Sequence, residues 1–457
     1  MEKWAARELR YLDLGDKRRN KRLIKMVEDL GAQPTSSVPQ ACGSIAATTA
    51  AYDLWNSPYI KPADISNGHV KSAIERAKEQ EIVLAIQDTT NLDVTSHPAT
   101  EGIGYLDHRK SLGLKVHTTL LSSKKGVPLG VIDQQVWSRN IEDLGIAKTR
   151  RKRQTEEKES QRCLEGLERT NKMLPAGIKI ITVADSEADI FDLFNKERPE
   201  NSHLLIRGTH NRKVNHTANY LHEAIRSSPK QGEVEVTVKR NPERPERIAK
   251  LTIRYETIEI EVPKNKLGRS QLKPVQLQVI LAEEKNPPPD VKSISWLLLT
   301  TWEIHSLEDA VKCVEWYTYR WLIERYHYTL KSGCRIEELQ LETGQRLSMA
   351  LATYSIVAWR LLWLTYQARH NPEQSCETVF TTVEWQSLCV SVNKNPIPPA
   401  EPPTLTQAVR MIARLGGFLG RKGDGEPGVK TIWQGLRRLH DIAATWKLAH
   451  QISSHTF

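Results

Sequence analysis

The stretch Ile82-Val-Leu-Ala-Ile86, followed by Gln87-Asp88-Thr89-Thr90, decides how the rest of this 457-residue chain is interpreted. A short continuous apolar run of this kind predicts a buried β-strand. A second strand is predicted at Ile178-Lys-Ile-Ile-Thr-Val183, and it too is followed by an aspartate, Asp185. Carboxylates at strand ends are held by rigid backbone, which suits them to bind a divalent metal. For either aspartate alone a turn is the favoured alternative, because Asp often starts a turn by bonding its own backbone.

Further elements between and after these two strands predict a mixed α/β domain. Apolar runs and period-two alternation mark strands, and charged amphipathic stretches mark helices. The predicted order is strands at 115–121 and 127–136 that form a meander with the first strand, a mobile basic loop at 148–153, helices at about 156–174 and 187–194, a strand at 204–207, an antiparallel β insertion at about 210–300, and apolar helices at 306–331 and 346–368.

The two ends of the chain are predicted to be helical. Lys17-Arg-Arg-Asn-Lys-Arg-Leu-Ile-Lys25 places six basic residues in nine positions within a helical segment that spans residues 1 to about 75. Such a run is either a helix that contacts phosphates or a solvated helix face, and the run alone leaves both open. Near the other end, residues 393–403 contain five prolines and predict a linker. The two helices predicted after it form either a dimer contact or an ordinary packed bundle.

Composition narrows the class of protein. The hydrophobic fraction of 39% and the charged fraction of 26% are typical of a soluble globular chain. The net charge of +10 is compatible with nucleic-acid binding but does not establish it. Six widely spaced cysteines without a C-x-x-C pair predict neither a zinc site nor a disulfide framework, which fits a reducing cytoplasm. The sequence predicts no secretory signal and no membrane span.

A third acidic residue comes from the predicted helix at 306–331. Tyr317, Arg320, Glu324 and Lys331 have offsets of 0, 3, 7 and 14, and on one continuous helix they share a stripe about 60° wide. One interpretation is a salt-bridged surface, since Arg320 and Glu324 form an i, i+4 pair. The other is a face that combines a metal ligand with phosphate anchors, as phosphodiester chemistry requires.

With these motifs in hand, the sequence resembles the DDE transposases of bacterial insertion sequences, specifically the insertion-sequence-four family that includes a relative in transposon Tn-five. The resemblance rests on the Tyr-x2-Arg-x3-Glu-x6-Lys signature, on Asp88-Thr-Thr and on Asp185-Ser-Glu-Ala-Asp-Ile190. It departs at Ser186 and Thr209, where basic residues are expected, and in the basic-free stretch 31–60. Further matches are Leu14-Gly-Asp-Lys-Arg-Arg19, Trp296-Leu-Leu-Leu-Thr300 and Ile412-Ala-Arg-Leu-Gly-Gly-Phe418.

The resemblance implies a fold and a domain organisation. The expected fold class is α/β, with an RNase H-like catalytic core and an antiparallel β insertion, flanked by α-helical N- and C-terminal domains. The expected domains are a transposon-end DNA-binding domain at 1–75, a catalytic domain at 76–392 with its insertion at about 210–300, and a linker with a helical dimerisation domain at 393–457.

The resemblance also implies an activity. A cut-and-paste transposase would nick transposon ends, form and resolve hairpins, and join the ends to target DNA. Asp88, Asp185 and Glu324 would bind two Mg2+ ions, for which Mn2+ substitutes. The expected partners are transposon-end duplex, target DNA and a second copy of the chain in the DNA complex, in a bacterial cytoplasm near the nucleoid. No membrane partner is expected.

Several side chains would contact DNA by the same resemblance. Trp296, or Trp321 as a second aromatic candidate, would stack on a base flipped out near the transposon end. Core packing is the alternative for both, because the chain has 12 tryptophans. The phosphate of the flipped nucleotide would be held by Tyr317, Arg320, Lys331 and Arg207. The N-terminal basic run would contact end DNA through Arg18, Arg19 and Arg22.

Two other functions remain open on the sequence alone. The first is a catalytically silent DNA-binding regulator or inhibitor of transposition, against which the three acidic residues count. The second is a stand-alone RNase H-like nuclease, against which the basic N-terminal segment and the β insertion count. Mg2+-dependent release of a DNA segment flanked by the correct ends would separate all three.

Overall fold

The computed structural model describes residues 3–108, 110–140, 158–238 and 246–453, so the predicted basic loop at 148–153 lies outside the described residues. The helices are α1 (Trp4–Glu8), α2 (Lys17–Ala32), α3 (Val38–Cys42), α4 (Ile45–Trp55), α5 (Pro62–Lys78), α6 (Gln161–Met173), α7 (Phe191–Asn195), α8 (Leu221–Ser227), α9 (Leu307–Thr318), α10 (Trp321–Tyr328), α11 (Gly344–His370), α12 (Thr382–Asn393), α13 (Leu405–Leu415) and α14 (Val429–Ser453). The strands are β1 (Ile82–Asp93), β2 (Gly104–Tyr105), β3 (Leu112–Ser123), β4 (Pro128–Trp137), β5 (Lys179–Ala184), β6 (Ser202–Arg207), β7 (Gly232–Val238), β8 (Arg247–Ile260), β9 (Val275–Glu284) and β10 (Ser295–Thr300).

The first half of the central sheet has the strand arrangement of an RNase H-like core. β1 pairs antiparallel with β3, and β3 pairs with β4, which confirms the predicted meander. β1 also pairs in parallel with β5, and β5 in parallel with β6. A sheet of parallel strands is normally covered on both of its faces by other parts of the protein. The apolar runs of β1 and β5 supply the side chains for both faces, and the predicted α/β fold class is confirmed.

Strand β1 is longer than its apolar run predicts. The expectation that it ends before Asp88 is wrong, because β1 continues to Asp93 and Asp88 itself pairs with Thr118 of β3. The pairing with β5 stops earlier, at Gln87 and Ala184. Asp88 therefore lies where β1 has lost its parallel neighbour but keeps its antiparallel one, so backbone pairing on one side still fixes its position.

The β-rich segment after β6 extends the same sheet. β10 pairs antiparallel with β6, and the sheet continues in the order β10, β9, β8, β7. The predicted antiparallel insertion is thus present, although it also contains the short helix α8. Because β10 returns to the edge strand of the core, the insertion places residues such as Trp296 beside β6.

The single helix predicted over 306–331 is wrong. α9 ends at Thr318, α10 starts at Trp321, and a π-helical turn follows at Thr329–Gly333. Around Tyr319 the backbone bonds tighten to i, i+3 spacing, as in the bond from the Leu322 N–H to the Tyr319 carbonyl at 2.9 Å. The assumed 100° per residue therefore does not hold between Tyr317 and Lys331, and their common stripe has to be judged from contacts.

The apolar helix predicted at 346–368 is confirmed as α11. It is long and apolar enough to cross a membrane, but 83% of its most apolar window is buried inside the protein. Its side chains join the N-terminal helices and one face of the sheet in a common core. These features identify α11 as the central core helix of the described fold.

The C-terminal helices have a core of their own. α12, α13 and α14 pack around residues such as Trp385, Leu388 and Ile412. No helix or strand occurs within 394–403, as the prolines predict. Helix α12, which precedes this segment, was not predicted, although Trp385, Leu388 and Cys389 recur at helical spacing and Thr381 with Glu384 form a capping box at its start.

A buried charged network joins the N-terminal helices to the sheet. Nδ1 of His69 lies 2.6 Å from Oε1 of Glu8, while Nε2 of His69 accepts a hydrogen bond from the Val131 N–H. His69 is therefore neutral and donates from Nδ1. Arg76 donates to both oxygens of Glu8 and to the Leu129 carbonyl. Burial alone would raise the pKa of Glu8, but Arg76 and His69 outweigh it and lower the pKa to about 2.

We expect Glu8→Gln to lower the free energy of unfolding by about 3 kcal/mol at pH 7, since the wild-type pKa falls from 4.5 to about 2 on folding. A carboxyl group whose pKa is lower in the folded protein than in the unfolded chain stabilises the fold at pH values above its unfolded-state pKa. This stabilisation is lost as the pH falls towards the folded-state pKa. The difference between the variant and the wild type should therefore narrow below pH 4.5. Urea denaturation at several pH values measures it, and a constant difference would contradict the assignment to Glu8.

Candidate active site

The register of the two parallel strands brings Asp88 and Asp185 together. The last pair between β1 and β5 joins Gln87 to Ala184, and each aspartate is the next residue in its chain. Side chains alternate along a strand, so Asp88 shares a face with Leu84 and Ile86, whereas Asp185 shares one with Ile181 and Val183. All four apolar residues belong to the core that includes α10, so both carboxylates lie on the α10 side of the sheet.

The electrostatics of Asp185 reflect this proximity. Burial raises the pKa of Asp185, and the neighbouring Asp88 raises it further, against a hydrogen bond from the Glu187 backbone N–H at 2.9 Å. That bond caps a short 3-10 turn at Ser186–Ala188. Asp185 therefore starts a turn, as one interpretation of a strand-end aspartate predicts. It also lies close to Asp88, as the other interpretation, a shared metal site, requires.

Glu324 approaches from α10, whose first turn packs against β1. Its Oε1 accepts a hydrogen bond from Nη2 of Arg320 at 2.5 Å. Burial raises the pKa of Glu324, Arg320 opposes this, and Asp88 adds to it. Glu324 thus lies within electrostatic reach of Asp88, but in this state its charge is balanced by Arg320.

The three carboxylates are of the chemical type that binds Mg2+, although their side chains do not converge on one point. Within the residues that the structure describes, no three His, Cys, Asp or Glu side chains are arranged to hold a metal together. Carboxylate oxygens are nonetheless the ligands that Mg2+ prefers. Half-buried carboxylates with raised pKa values are also the groups that a cation would stabilise most. The hydrogen bond from Arg320 occupies one of the two oxygens of Glu324, Oε1.

Three neighbours of the aspartates were not predicted from sequence. Nδ1 of His327 lies 3.6 Å from Oδ2 of Asp88, and its Nε2 is buried without a hydrogen-bond partner. Glu187 has a pKa raised by burial and by Asp185. Burial lowers the pKa of His117 to about 4, and its Nδ1 lies 2.9 Å from the Thr89 hydroxyl. The spacing of His327, three residues after Glu324 on a helix, was the one available signal.

Tyr317, Arg320 and Arg207 gather beside Asp185 despite the irregular helix. Burial raises the pKa of Tyr317, while Arg320 and Arg207 oppose that shift, and Arg207 is within hydrogen-bonding reach of the phenol oxygen. Arg320 and Arg207 also act on the Asp185 carboxylate. This arrangement places two cations and a phenol next to the aspartate pair.

The two predicted tryptophans have different surroundings. Trp296 is half-buried, and its ring meets that of Tyr317 edge-on at a centroid distance of 5.5 Å. Strand β10 aligns Leu298 with Arg207, so Trp296 lies on the same face as Arg207. Trp321 is 45% exposed. Neither indole is fully buried, so neither is confined to core packing.

Lys331 is placed apart from the Tyr317 group. It lies in the π-helical turn, and its Nζ is 3.5 Å from Oε1 of Glu337. The same Glu337 oxygen accepts a hydrogen bond from the Asp93 N–H at 2.9 Å. Lys331 is thereby linked to the far end of β1, the strand that carries Asp88.

The N-terminal basic run splits into exposed and half-buried members. The Arg18 side chain is 94% exposed. Arg19 lies over the ring of Tyr59 at 5.0 Å, and Arg22 is half-buried, with Nε and Nη2 enclosed and lacking a described partner. The other exposed cations of α2, which were not singled out from sequence, are Lys17, Lys21 and Lys25.

Comparison with known families agrees with this geometry. Residues 81–360, more than half of the chain, match the model of the transposase DDE domain, so the chain belongs to the DDE transposases. Residues 1–60 match the transposase DNA-binding model, and residues 356–455 match the transposase Tn5 dimerisation domain. The protein is therefore a DDE-type DNA transposase that cleaves phosphodiester bonds and transfers strands, and its C-terminal region resembles that of Tn5-type transposases. The matches at the two ends of the chain support DNA partners and the formation of dimers, and the DDE transposase family generally depends on a divalent metal.

We expect the exposed cations of α2 to carry phosphate contacts. Neutralising Lys17, Arg18 and Lys21 to Gln should reduce the slope of log binding constant against log salt by about 0.9 for each contact that is lost. Binding of end DNA across a salt series measures the slope. A matched variant with Arg421, Lys422 and Lys430 changed to Gln removes the same charge elsewhere and should leave the slope nearly unchanged. Equal slopes for all three proteins would mean that the α2 surface is only a solvated face.

Proposed function

We propose that this transposase works by a cut-and-paste route, with Asp88, Asp185 and Glu324 as its catalytic and metal-binding residues. The observation that carries the proposal is the register of β1 and β5, which sets two carboxylates side by side on the face that α10 covers. Glu324 is the acidic residue of α10 whose pKa responds to Asp88. An all-oxygen set of this kind suits Mg2+, with Mn2+ as a substitute.

When bound, two ions would supply activation of the attacking oxygen and stabilisation of the leaving 3′-oxygen. Asp88 is held by the backbone of β1 and Asp185 by the turn that directly follows β5, so their positions change little. Glu324 is held by Arg320, whose guanidinium can instead donate to a DNA phosphate. We infer that Arg320 exchanges Glu324 for phosphate when DNA enters, which frees the carboxylate. His327, whose Nδ1 lies next to Oδ2 of Asp88, would hold the Asp88 side chain in its orientation.

DNA distortion would depend on the group around Tyr317. The half-buried indole of Trp296, packed edge-on against Tyr317, offers one ring face for a flipped base. Trp321 is more exposed and is the second candidate for the same stacking. Arg207, Arg320 and the Tyr317 hydroxyl would hold the adjacent phosphate by charge-assisted hydrogen bonds. Lys331 would join them after it leaves Glu337.

The three family matches support the proposed domain organisation. The N-terminal helices, including Arg18, Arg19 and Arg22, would hold transposon-end duplex, and a second copy of the chain would hold the other end. The proposed boundaries remain at about residues 75 and 393, with target DNA engaged by the catalytic domain and the protein acting in the bacterial cytoplasm near the nucleoid. The matches at both ends of the chain argue against a stand-alone nuclease.

We expect alanine at Asp88, Asp185 or Glu324 to abolish nicking and strand transfer while end binding stays largely intact. The reason is that each change removes a proposed metal ligand but leaves the basic surface of α2 in place. Mg2+-dependent cleavage of end-labelled DNA and a binding assay measure the two properties. Asp133→Asn is the control, because Asp133 is a half-buried carboxylate on β4 paired with Arg169. Near-normal cleavage by Asp185→Ala would remove Asp185 from the site.

We expect Trp296→Ala to nick transposon ends but to form hairpins ten- to a hundredfold more slowly, since stacking of one base is worth about 1–3 kcal/mol. Nicked DNA should accumulate on a denaturing gel over time. Lys331→Ala should show a similar bias if Lys331 holds the flipped nucleotide. Hairpin formation by Trp296→Ala at the parental rate, once the DNA is nicked, would make Trp296 a packing residue.

A further inference from the structure

The dimerisation region packs into the catalytic core at several points, and one of them is Trp433 of α14. Trp433 is 3% exposed and belongs to the core formed by the sheet, α10 and α11. The preceding residue, Ile432, belongs to the separate core of the C-terminal helices, as does Leu439 about two turns further on. The first turns of α14 are therefore shared between the two cores.

The surface that receives Trp433 is the π-helical turn that carries Lys331. A Cβ atom on Gly333 would lie 2.7 Å from Cε3 of the Trp433 indole, so only glycine permits this approach. The ring of Tyr328, the residue before the turn, has its centroid 5.5 Å from that of Trp433. The indole thus touches the residues immediately before and at the end of Thr329–Gly333.

The position of Lys331 is consequently set from two sides. Glu337, anchored to the end of β1 by the Asp93 N–H, holds the ammonium group. Trp433 packs against the backbone turn from which the side chain extends. A π-helical turn is an uncommon backbone arrangement and persists where surrounding packing supports it. Removal of the indole would leave the turn free to rewind towards ordinary helix, which would rotate Lys331 away from its present direction.

We propose that Trp433 is a positioning residue for Lys331, so that the helix belonging to the dimerisation region also holds a DNA-clamping side chain of the catalytic domain. The proposal rests on the proposed role of Lys331 in holding the flipped nucleotide. Beyond Trp433, the same helix continues to Ser453, and Leu448 on this part of the helix is 62% exposed. One rigid helix therefore connects a surface open to a second copy of the chain with the Lys331 turn.

The test compares Trp433→Ala with Trp433→Phe, Gly333→Ala and Leu439→Ala in the full-length protein. Leu439 is the matched control, because it is 2% exposed on the same helix but lies in the C-terminal core. Rates of nicking, and of hairpin formation from pre-nicked end DNA, are measured with Mg2+, and a native gel reports paired-end complexes. The ratio of the two rates separates positioning from a general loss of packing, which would slow both steps together.

Trp433→Ala and Gly333→Ala should lower the hairpin rate relative to nicking by about ten- to a hundredfold, the effect expected of a misplaced positioning group. Trp433→Phe should largely restore the ratio, and Leu439→Ala should not change it. Lys331→Ala combined with Trp433→Ala should be no worse in this ratio than Lys331→Ala alone, because both changes act through one side chain.

The outcomes also separate this proposal from the one on which it rests. If Lys331→Ala leaves the ratio unchanged, the proposed role of Lys331 fails and the inference fails with it. If Lys331→Ala shifts the ratio but Trp433→Ala and Gly333→Ala do not, only the positioning role is overturned. Multiplicative effects in the double variant would likewise overturn it, since they would show that Trp433 acts independently of Lys331.

Discussion

The parallel pairing of β1 with β5 is the constraint on which the rest of the catalytic face depends. A difference of one residue in this register would rotate one aspartate to the opposite face of the sheet, because side chains alternate along a strand. The buried apolar residues before each aspartate hold the register, since a slip would expose them. Packing of the hydrophobic core and placement of the catalytic carboxylates are therefore one and the same requirement.

That placement has an electrostatic consequence. Two carboxylates at the edge of a buried core repel each other and lose hydration, which raises the pKa of Asp185 and disfavours the charged pair. The protein supplies only part of the compensating charge, because Arg320 donates its hydrogen bond to Glu324 and reaches Asp185, as Arg207 does, only through its charge. A divalent cation, on which the family generally depends, would supply the remaining positive charge. The same Arg320 can pair with a DNA phosphate, so entry of DNA and release of Glu324 towards the aspartates are compatible events.

Local sequence patterns predicted most of the fold, and they failed where tertiary contacts override local preference. The apolar runs located β1 and β5, but the polar half of β1 was missed because its pairing with β3 leaves no hydrophobic signal. The helix at 306–331 was predicted as continuous, whereas the ring of Tyr319 packs on Gly126 of the β3–β4 turn and the backbone tightens there. His327 and Glu187 were missed because only burial near Asp88 distinguishes them. Arg22 looked like a surface cation, and its half-buried position could not be read from a basic run.

The extended sheet explains why residues so distant in sequence act at one place. β10 returns to β6 after some ninety residues, and its pairing with Arg207 sets Trp296 on the face that Tyr317 and Arg320 occupy. Helix α14 makes the analogous connection from the C-terminal side, by packing against the turn of Lys331. In the proposed mechanism, chemistry at a DNA end would draw on the core strands, the β insertion and the dimerisation region together. Each of these three parts would contribute side chains that its own backbone holds in place. Deformation of one part would therefore affect the clamping of DNA and the metal-dependent cleavage to different extents before either activity is lost.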